Sequence, residues 1–382
     1  MNGVPRKPKR VMLVVGEASG DLHGASLVRA LLQRDPALDI FGVAGEKIEQ
    51  EGIRVVLDVA SISGMGLAEL VGNLKTLWNA YRLLQRVLKE ERPNLLILID
   101  FPEINMRLAR LAKELQIPVL YYISPQVWAW RRRRIRKISR WVDRMAVVFP
   151  FEVPLYEREG VPVNFVGHPL LDTVHSTQPR ERTLDQYGLD PSKRTIALLP
   201  GSRRSEVTYH LPPMIEAAEH LSRKMEVQFL LIRASTIKSD DLEEMANRAT
   251  ARISFSEGNT YNALNACDLA WAASGTVTLE TALMLKPMIV VYRLAWLTYV
   301  MARFLVRVNY IGMVNIVAGE RVVPELIQAE LTAERIVRES ELILRDSELR
   351  QRMIAKLAEV RGKLGSPGAA GRVADIALVM MN

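Results

Sequence analysis

The stretch Ala273 to Tyr292 reads ASGTVTLETALMLKPMIVVY, and we expect the rest of the chain to be organised around it. It predicts the end of a buried strand, a turn of small residues at Ser274–Thr276, a helix from about Val277 and a new strand after Pro287. Such a turn leaves the first backbone N–H groups of the helix unpaired and directs a partial positive charge outward. The stretch is therefore suited to a phosphate or pyrophosphate.

Glu280 lies in the first turns of this predicted helix, and its side chain tilts back toward the N-terminus. It could reach a sugar hydroxyl beside the phosphate, so a nucleoside diphosphate sugar is a natural ligand. An ordinary strand-to-helix turn would contain the same residue types, with Thr276 as the N-cap and Glu280 as a favourable charge near the helix dipole. The turn around Gly275 does not by itself decide between these interpretations.

The length and composition are those of a globular protein with two domains. The chain has 382 residues, of which 49% are hydrophobic and 25% charged, and a domain takes roughly 100 to 200 residues. No apolar run approaches the 18 or so residues that span a bilayer, and no signal peptide is apparent, so we expect a cytoplasmic protein. The single cysteine, Cys267, is expected in the core, and no metal-binding Cys/His spacing occurs. No metal or cofactor is predicted.

The net charge of +8 favours a polyanionic partner, such as nucleic acid, anionic lipid or a phosphorylated substrate.

Predicted strands and helices alternate in two successive halves. Continuous apolar strands in such a pattern imply parallel sheets covered by helices on both faces. Residues 172–192 are interpreted as a linker, after which the pattern restarts. We therefore predict an α/β fold of two tandem Rossmann-like, doubly wound domains, at 1–172 and 173–350, with a cleft between them. Terminal helices over 351–382 are expected to pack back toward the first domain.

A second glycine turn, Pro200–Glu206, follows the first strand of the second half. Gly201 allows close backbone approach, and the guanidinium of Arg203 can bind phosphate oxygens in a fork. Taken alone this is better interpreted as a plain turn with solvated arginines, but two such turns at equivalent places favour a diphosphate ligand. Asn315 is either an amide facing that ligand or a side chain that stabilises its own loop.

In the first half, Asp100 closes an apolar strand, which places its carboxylate at the carboxyl end of the sheet. It is either a general base, with a pKa raised by partial desolvation, or the N-cap of the next helix, and we favour the base. The glycine turn with Glu17, Ser19 and Asp21 is predicted at the same edge. His168 either contacts ligand or is a hydrogen-bonded hinge residue, and the second is the commoner role.

Two segments of the first half have the composition of a membrane surface. A long predicted helix has an apolar stripe that includes Leu67, Leu70, Val71, Leu74 and Trp78, and a basic tract near three tryptophans includes Arg131, Arg132, Arg133 and Arg134. Aromatic residues beside a polybasic surface are typical of a peripheral protein on an anionic bilayer. RNA binding or a solvated helix face are the alternatives, and no RNA-binding signature accompanies the tract.

Six motifs occur in the order GEASGD, IDFPEIN, SPQVWAW, GHP, LPGSRRSE and SGTVTLE. In this combination, which spans almost the whole chain, the sequence closely resembles the lipid-A-disaccharide synthase family. The resemblance implies the glycosyltransferase-B fold and a peripheral enzyme at the inner face of the inner membrane. It also implies a reaction, in which UDP-2,3-diacylglucosamine and 2,3-diacylglucosamine 1-phosphate (lipid X) give the β-1,6-linked disaccharide 1-phosphate and UDP, with inversion.

The resemblance also implies residue roles. Asp100 matches the proposed base of the family, Arg203 and Glu280 match UDP-binding positions, and Ser274, Gly275 and Thr276 match the pyrophosphate turn. Asn315 matches an asparagine that usually follows proline, but Val314 precedes it here, and Ile104 stands where the family commonly has phenylalanine. The alternatives are an enzyme like the UDP-N-acetylglucosamine epimerases and a non-catalytic RNA-binding protein. Acyl-chain length and any homo-oligomer are left open.

Overall fold

The computed structural model describes residues 8–16, 18–62, 74–125, 135–237, 242, 250–296, 299 and 309–382. The chain divides into two compact units, and the first is assembled from both ends of the sequence. Unit 1 comprises residues 1–172 and 365–382, and unit 2 comprises residues 173–364.

Unit 1 is built on a seven-stranded parallel sheet. Its strands are β1 (Arg10–Val14), β2 (Asp39–Ala44), β3 (Arg54–Asp58), β4 (Leu95–Ile99), β5 (Val119–Tyr122), β6 (Arg144–Val147) and β7 (Val163–Phe165). Their order is β3-β2-β1-β4-β5-β6-β7, and every neighbouring pair is parallel. All five residues of β4 are buried, as expected for a central strand covered on both faces.

The helices that follow these strands keep the predicted alternation. They are α1 (Ala18–Arg34), α2 (Glu46–Glu49), α3 (Leu74–Glu91), α4 (Pro102–Glu114), α5 (Ile135–Trp141), α6 (Val153–Glu157) and α7 (Leu170–Thr173), with 3-10 turns at Val59–Ser61 and Pro150–Glu152. On α3, the side chains of Ala80, Leu84 and Leu88 are buried at helical spacing, so this helix packs on the core through one face.

Unit 2 is built on a six-stranded parallel sheet. Its strands are β8 (Arg194–Leu199), β9 (Val227–Arg233), β10 (Ile253–Glu257), β11 (Leu269–Ala273), β12 (Met288–Tyr292) and β13 (Glu325–Ile327), in the order β10-β9-β8-β11-β12-β13. Trp271 in the middle of β11 is fully buried, and its indole Nε1 donates to Ser340 Oγ at 2.9 Å. A buried Trp with a paired N–H is well suited to anchor such a core.

The helices of unit 2 are α8 (Arg180–Gln186), α9 (Arg204–Ser222), α10 (Thr260–Ala266), α11 (Thr276–Leu283), α12 (Met313–Ala318), α13 (Ala333–Arg345) and α14 (Ser347–Lys363), with a 3-10 turn at Gln328–Glu330. The last helix, α15 (Ala369–Met380), belongs to unit 1, where Arg34 on α1 pairs with Asp375 at 2.6 Å. Of the segment 351–382, α14 thus lies in unit 2, and only the part from Gly365 lies in unit 1.

Both sheets have the strand order of a Rossmann fold, and both are doubly wound. The order reverses between β1 and β4 in unit 1 and between β8 and β11 in unit 2. Ligands of open α/β sheets bind beside the carboxyl ends of the strands at such a reversal. The predicted fold class of two Rossmann-like α/β domains is confirmed. The reversals mark the position in each unit at which a ligand site is expected.

Predicted and observed element ends differ by a few residues. The helix predicted from about Val277 begins at Thr276, with Gly275 at the N-cap position in place of Thr276. The sequence also predicts a helix over residues 240–249, which lie outside the described residues except for Leu242. Among the residues that the structure describes, none of the helices combines the length and apolarity needed to cross a membrane. Cys267 is buried, and burial raises the pKa of its thiol to about 12, as for a core cysteine.

The turn after β1 is packed directly against the turn after β4. A Cβ atom placed on Gly16 would lie 2.1 Å from Cγ of Phe101, so only glycine fits there. On α1, by contrast, a Cβ atom on Gly20 would lie 3.5 Å from its nearest neighbour, which is an ordinary contact. Gly16 therefore sets how closely the two strand ends at the reversal approach each other.

Replacing Gly16 with alanine should destabilise the protein by about 1–3 kcal/mol, because Phe101 must move to admit the methyl group. Gly20→Ala is the matched control in the same unit. It should be neutral or stabilise by roughly 0.5–1 kcal/mol, since alanine favours the helix. Urea unfolding of both variants measures the difference. Equal free energies of unfolding would show that Phe101 does not prevent a methyl group at position 16.

Candidate active site

The turn between β11 and α11 leaves two backbone amides open. Ser274 is fixed at both ends, since its N–H donates to Val291 O at 3.0 Å and its Oγ donates to Ile311 O at 2.9 Å. The N–H groups of Thr276 and Val277, in the first turn of α11, have no acceptor among the described residues. A Cβ atom built on Gly275 would meet nothing within 4 Å, so the space before the helix is open. This geometry suits an anion.

Glu280 is a half-buried carboxylate on the same helix. Its Oε1 accepts a hydrogen bond from the hydroxyl of Tyr261 at 3.0 Å, while Oε2 has no hydrogen-bond partner among the described residues. Burial raises the pKa of Glu280, and the hydrogen bond from Tyr261 acts in the opposite direction. Tyr261 orients the carboxylate and leaves one oxygen able to accept a ligand hydroxyl. No pattern in the sequence singles out Tyr261.

The turn between β8 and α9 differs from the turn between β11 and α11 because a side chain of its own helix accepts from its N–H groups. The carboxylate of Glu206 folds back, so that its Oε2 accepts from the N–H of Ser202 at 2.9 Å and of Arg203 at 3.3 Å. A Cβ atom on Gly201 would lie only 2.6 Å from Glu206, so glycine is needed for this closure. The N–H groups of Ser202 and Arg203 are therefore satisfied within the chain.

Arg203 is the group that this turn can still offer to a ligand. Its side chain is 73% exposed, and Nη1 lies 4.0 Å from Oε1 of Glu206, beyond hydrogen-bond distance. A guanidinium held loosely near a carboxylate can turn to bind phosphate oxygens. The two glycine turns of unit 2 thus offer different groups, open amides at α11 and a positive side chain at α9.

The side-chain amide of Asn315 is hydrogen-bonded within its own loop and does not face a ligand site. It is fully buried, its Nδ2 donates to Val323 O at 3.0 Å and to Glu325 Oε1 at 2.9 Å, and its Oδ1 accepts from the N–H of Val322 and Val323. All of its hydrogen-bonding capacity is used inside the loop. In this structure Asn315 therefore stabilises the loop, together with the buried carboxylate of Glu325, which sequence reasoning did not identify.

In unit 1, Asp100 stands immediately after β4, at the reversal in strand order. The N-cap of α4 is Phe101 and not Asp100. Both residues have positive φ, at 47°, a region that costs a non-glycine residue about 1–3 kcal/mol and is found disproportionately at functional sites. The half-buried Asp100 thus ends a buried strand in a strained turn.

Hydrogen bonds to the backbone carbonyl of Asp100 maintain this strain. Tyr121 donates through its hydroxyl at 2.5 Å, and Asn105 donates through Nδ2 at 2.7 Å. Ile123, just after β5, is a third non-glycine residue with positive φ at this edge of the sheet. Two buried polar side chains thus fix the backbone from which the Asp100 carboxylate projects.

Asp21 is a structural residue. It is buried, and its carboxylate accepts from the N–H groups of Gly45, Lys47 and Ile48 at 2.7–3.3 Å, which satisfies the amides at the start of α2. It is therefore fully engaged within unit 1 and does not present a free carboxylate to a ligand.

His168 is also held inside unit 1. Its Nδ1 accepts from the N–H of Leu170 at 3.2 Å, and its ring lies 5.1 Å from that of Phe149. Burial, and secondarily His23, lower the pKa of His168 to about 3. This arrangement is that of a hydrogen-bonded turn residue that stays neutral.

Several predicted residues are beyond what the structure describes. Glu17, Leu67, Leu70, Val71 and Arg131–Arg134 lie outside the described residues. Ser19 lies in α1 and Leu74 begins α3, and the roles predicted for their side chains stay predictions. Trp78 is described, on α3, and is 46% exposed.

The low pKa of His168 predicts a pH-dependent stability. A buried histidine that is neutral in the folded state costs stability once the unfolded state can bind a proton, so the loss begins near pH 6.5 and grows as the pH falls. Between pH 7 and pH 5 the loss should be about 2 kcal/mol. In His168→Asn the amide oxygen can replace Nδ1 as acceptor but does not titrate. Urea unfolding at both pH values should show a smaller loss of unfolding free energy in the variant than in the wild type. An equal loss in both proteins would contradict this prediction.

Comparisons with known proteins agree with this architecture. Residues 11–366 match the family model described as lipid-A-disaccharide synthetase. The lipid-A-disaccharide synthase of Geobacter metallireducens is 48% identical over 374 residues, covering 98% of this chain and 97% of that protein.

Two solved structures share the fold at low sequence identity. The glycotransferase of kitacinnamycin has a TM-score of 0.66 at 14% identity, covering 99% of this chain and 100% of that one. The UDP-GlcNAc 2-epimerase of Neisseria meningitidis, solved with UDP-GlcNAc, has a TM-score of 0.61 at 12% identity, covering 98% and 99%. At such identities they show the fold alone. The near-complete family match and the 48% identity show that the chain belongs to the lipid-A-disaccharide synthase family.

Proposed function

We propose that this protein is an inverting glycosyltransferase of lipid A synthesis. It transfers the sugar of UDP-2,3-diacylglucosamine to the 6-hydroxyl of 2,3-diacylglucosamine 1-phosphate (lipid X), giving the β-1,6-linked disaccharide 1-phosphate and UDP. The observation that supports this most directly is the open N-terminus of α11 beside Glu280, at the strand reversal of a Rossmann sheet, in a chain of this family.

On the donor side, unit 2 holds the UDP. The amides of Thr276 and Val277 and the dipole of α11 bind the pyrophosphate, and the guanidinium of Arg203 adds a positive charge. Glu280 accepts a hydroxyl of the nucleotide sugar through its Oε2. As the bond from the anomeric carbon to the diphosphate breaks, negative charge builds on the leaving group, and these fixed donors stabilise it.

On the acceptor side, Asp100 is the general base. Its carboxylate takes the proton from the 6-hydroxyl of the acceptor as that oxygen attacks the anomeric carbon and UDP leaves from the opposite face. The new bond forms on the face opposite to the one that breaks, so the configuration inverts. The turn held by Tyr121 and Asn105 fixes the backbone of this residue before substrate binds.

The two alternative functions are less well supported. An epimerase would share the fold, as the structural neighbours do, but the family match and the 48% identity are to enzymes named for disaccharide synthesis. A non-catalytic RNA-binding protein does not account for the open amides beside Glu280. Incubation with UDP-2,3-diacylglucosamine and lipid X, followed by mass detection of the disaccharide 1-phosphate, tests the reaction directly. Conversion of UDP-N-acetylglucosamine without an acceptor would favour the epimerase.

Replacing Asp100 with asparagine should lower kcat by roughly 10²- to 10⁴-fold, the usual contribution of general base catalysis. The affinity for UDP should be unchanged, because the UDP site is built from unit 2. The matched control is Glu103→Gln, an exposed carboxylate in the first turn of α4. Steady-state kinetics and calorimetric titration with UDP make the comparison, and near-normal turnover in folded Asp100→Asn would exclude it as the base.

We also propose that the protein works at the inner face of the inner membrane. One face of α3 exposes a tryptophan among basic side chains, namely Lys75, Trp78, Arg82, Arg86 and Lys89, at helical spacing. The guanidinium of Arg82 lies 5.4 Å from the centre of the Trp78 ring. Tryptophan favours the lipid interface, and each basic residue near an anionic surface contributes about 1 kcal/mol. This face is suited to the surface from which acylated substrates would be drawn.

The triple variant Trp78→Ala, Arg82→Glu, Arg86→Glu should bind phosphatidylglycerol-containing vesicles about tenfold or more weakly than the wild type, since charge reversal turns attraction into repulsion. The control is Val379→Ala, which alters an exposed apolar residue on α15. Vesicle co-sedimentation at low and high salt measures the effect, and added salt should narrow the difference. Equal binding by variant and wild type would exclude this face of α3.

A further inference from the structure

His210 is a buried histidine that joins two separate backbone segments of unit 2. It lies in the second turn of α9 and is 1% exposed. Its Nδ1 lies 2.8 Å from the carbonyl oxygen of Pro200, and its Nε2 lies 2.9 Å from the backbone nitrogen of Arg293. The first segment opens the turn that contains Arg203, and the second is the chain that leaves β12.

The two partners determine the protonation state of the ring. A backbone N–H can only donate, so Nε2 accepts the bond from Arg293 and has no proton. A carbonyl oxygen can only accept, so Nδ1 has the proton and donates to Pro200. Only the neutral imidazole with its proton on Nδ1 makes both bonds, and the imidazolium cannot accept from Arg293.

The two hydrogen bonds of His210 connect segments on either side of β11, the strand that leads into the proposed donor site. In the sheet of unit 2, β8 and β12 are the two neighbours of β11. Adjacent strands are about 4.8 Å apart, so the ends of β8 and β12 are separated by roughly 10 Å, which an imidazole with a hydrogen bond at each side can span. β11 lies between them, and it leads into Ser274 and the open amides of α11.

We propose that His210 is a positioning residue for donor binding, which holds the Arg203 turn and the Arg293 segment at a fixed spacing on either side of the α11 N-terminus. It does so only as the neutral Nδ1–H tautomer. This inference rests on the function proposed above, since it assigns a role in the UDP-sugar site of unit 2.

The surroundings of His210 set the direction of its pH response. Glu206 faces it from its own helix, Arg293 faces it from the segment after β12, and the ring of Tyr292 lies 6.3 Å away. Burial lowers the pKa of His210, the bond to Pro200 and the charge of Glu206 oppose this, and the charge of Arg293 is the smallest contribution and lowers the pKa. Protonation at acid pH breaks the bond from Arg293 and brings two positive charges together. Donor affinity should therefore fall on the acid side of the ordinary histidine range, below about pH 6.5.

Two substitutions distinguish the effect of the two His210 hydrogen bonds from the effect of its side-chain volume. His210→Gln keeps one N–H donor and one oxygen acceptor but does not titrate, whereas His210→Leu keeps an apolar side chain and removes both bonds. At pH 7.5, His210→Leu should raise the KM for UDP-2,3-diacylglucosamine about tenfold or more with a smaller change in kcat, since it leaves two buried backbone groups unpaired. His210→Gln should stay within about threefold of the wild type and should lose the acid-side rise in KM.

The control is His220→Gln, which removes a second histidine about 15 Å further along the same helix. It should leave both the KM and its pH profile unchanged. Urea unfolding identifies any variant that fails to fold, and if His210→Leu does so, the pH profile of His210→Gln decides the question. The inference is overturned if folded His210→Leu has a normal KM, or if His210→Gln keeps the acid-side rise. A wild type that binds no UDP would instead overturn the proposed function.

Discussion

The bond between an anion and unpaired amides at the start of a helix is the interaction on which the proposed donor site depends. Unit 2 has two strand-to-helix turns at its reversal in strand order, and they differ in which turn N–H groups are bonded within the chain. At α9 the carboxylate of Glu206 occupies the amides of Ser202 and Arg203, so the anion is supplied by the chain. At α11 the amides of Thr276 and Val277 stay open.

Unit 1 uses the same topological position for a different purpose. Its reversal lies between β1 and β4, and there the chain makes a strained turn through Asp100 and Phe101. The strain persists because buried groups on neighbouring elements determine the conformation. Tyr121 and Asn105 hold the carbonyl of Asp100, and Gly16 leaves room for Phe101. The backbone that carries the Asp100 carboxylate is thus fixed before substrate binds, which suits the proposed role of general base.

Several buried polar residues near the proposed site act on its backbone and do not themselves face the ligand. Asn315 donates to Glu325, and Glu325 also accepts from the N–H of Ile311, whose carbonyl in turn accepts the bond from Ser274. His210 joins the segments on either side of β11. Buried polar networks of this kind are costly unless fully satisfied, and when satisfied they define a single geometry. The proposed donor site thus has buried polar residues around it that hydrogen-bond to its backbone segments.

The sequence by itself determined the alternation of strands and helices, the two Rossmann-like halves and the position of each glycine turn, because apolar runs and turn residues are local signals. It also placed Asp100 at the carboxyl end of a strand and Glu280 in the first turns of the helix that follows another strand, since both positions follow from element order. Tertiary structure alone decided which groups are free to meet a ligand. Asp21 caps α2, Asn315 is enclosed in its loop, and Glu206 satisfies the amides beside Arg203, and each depends on where a carboxylate or amide meets a backbone N–H in space. The same residue types in the same local pattern can present a group or use it internally, and only the packing distinguishes the two.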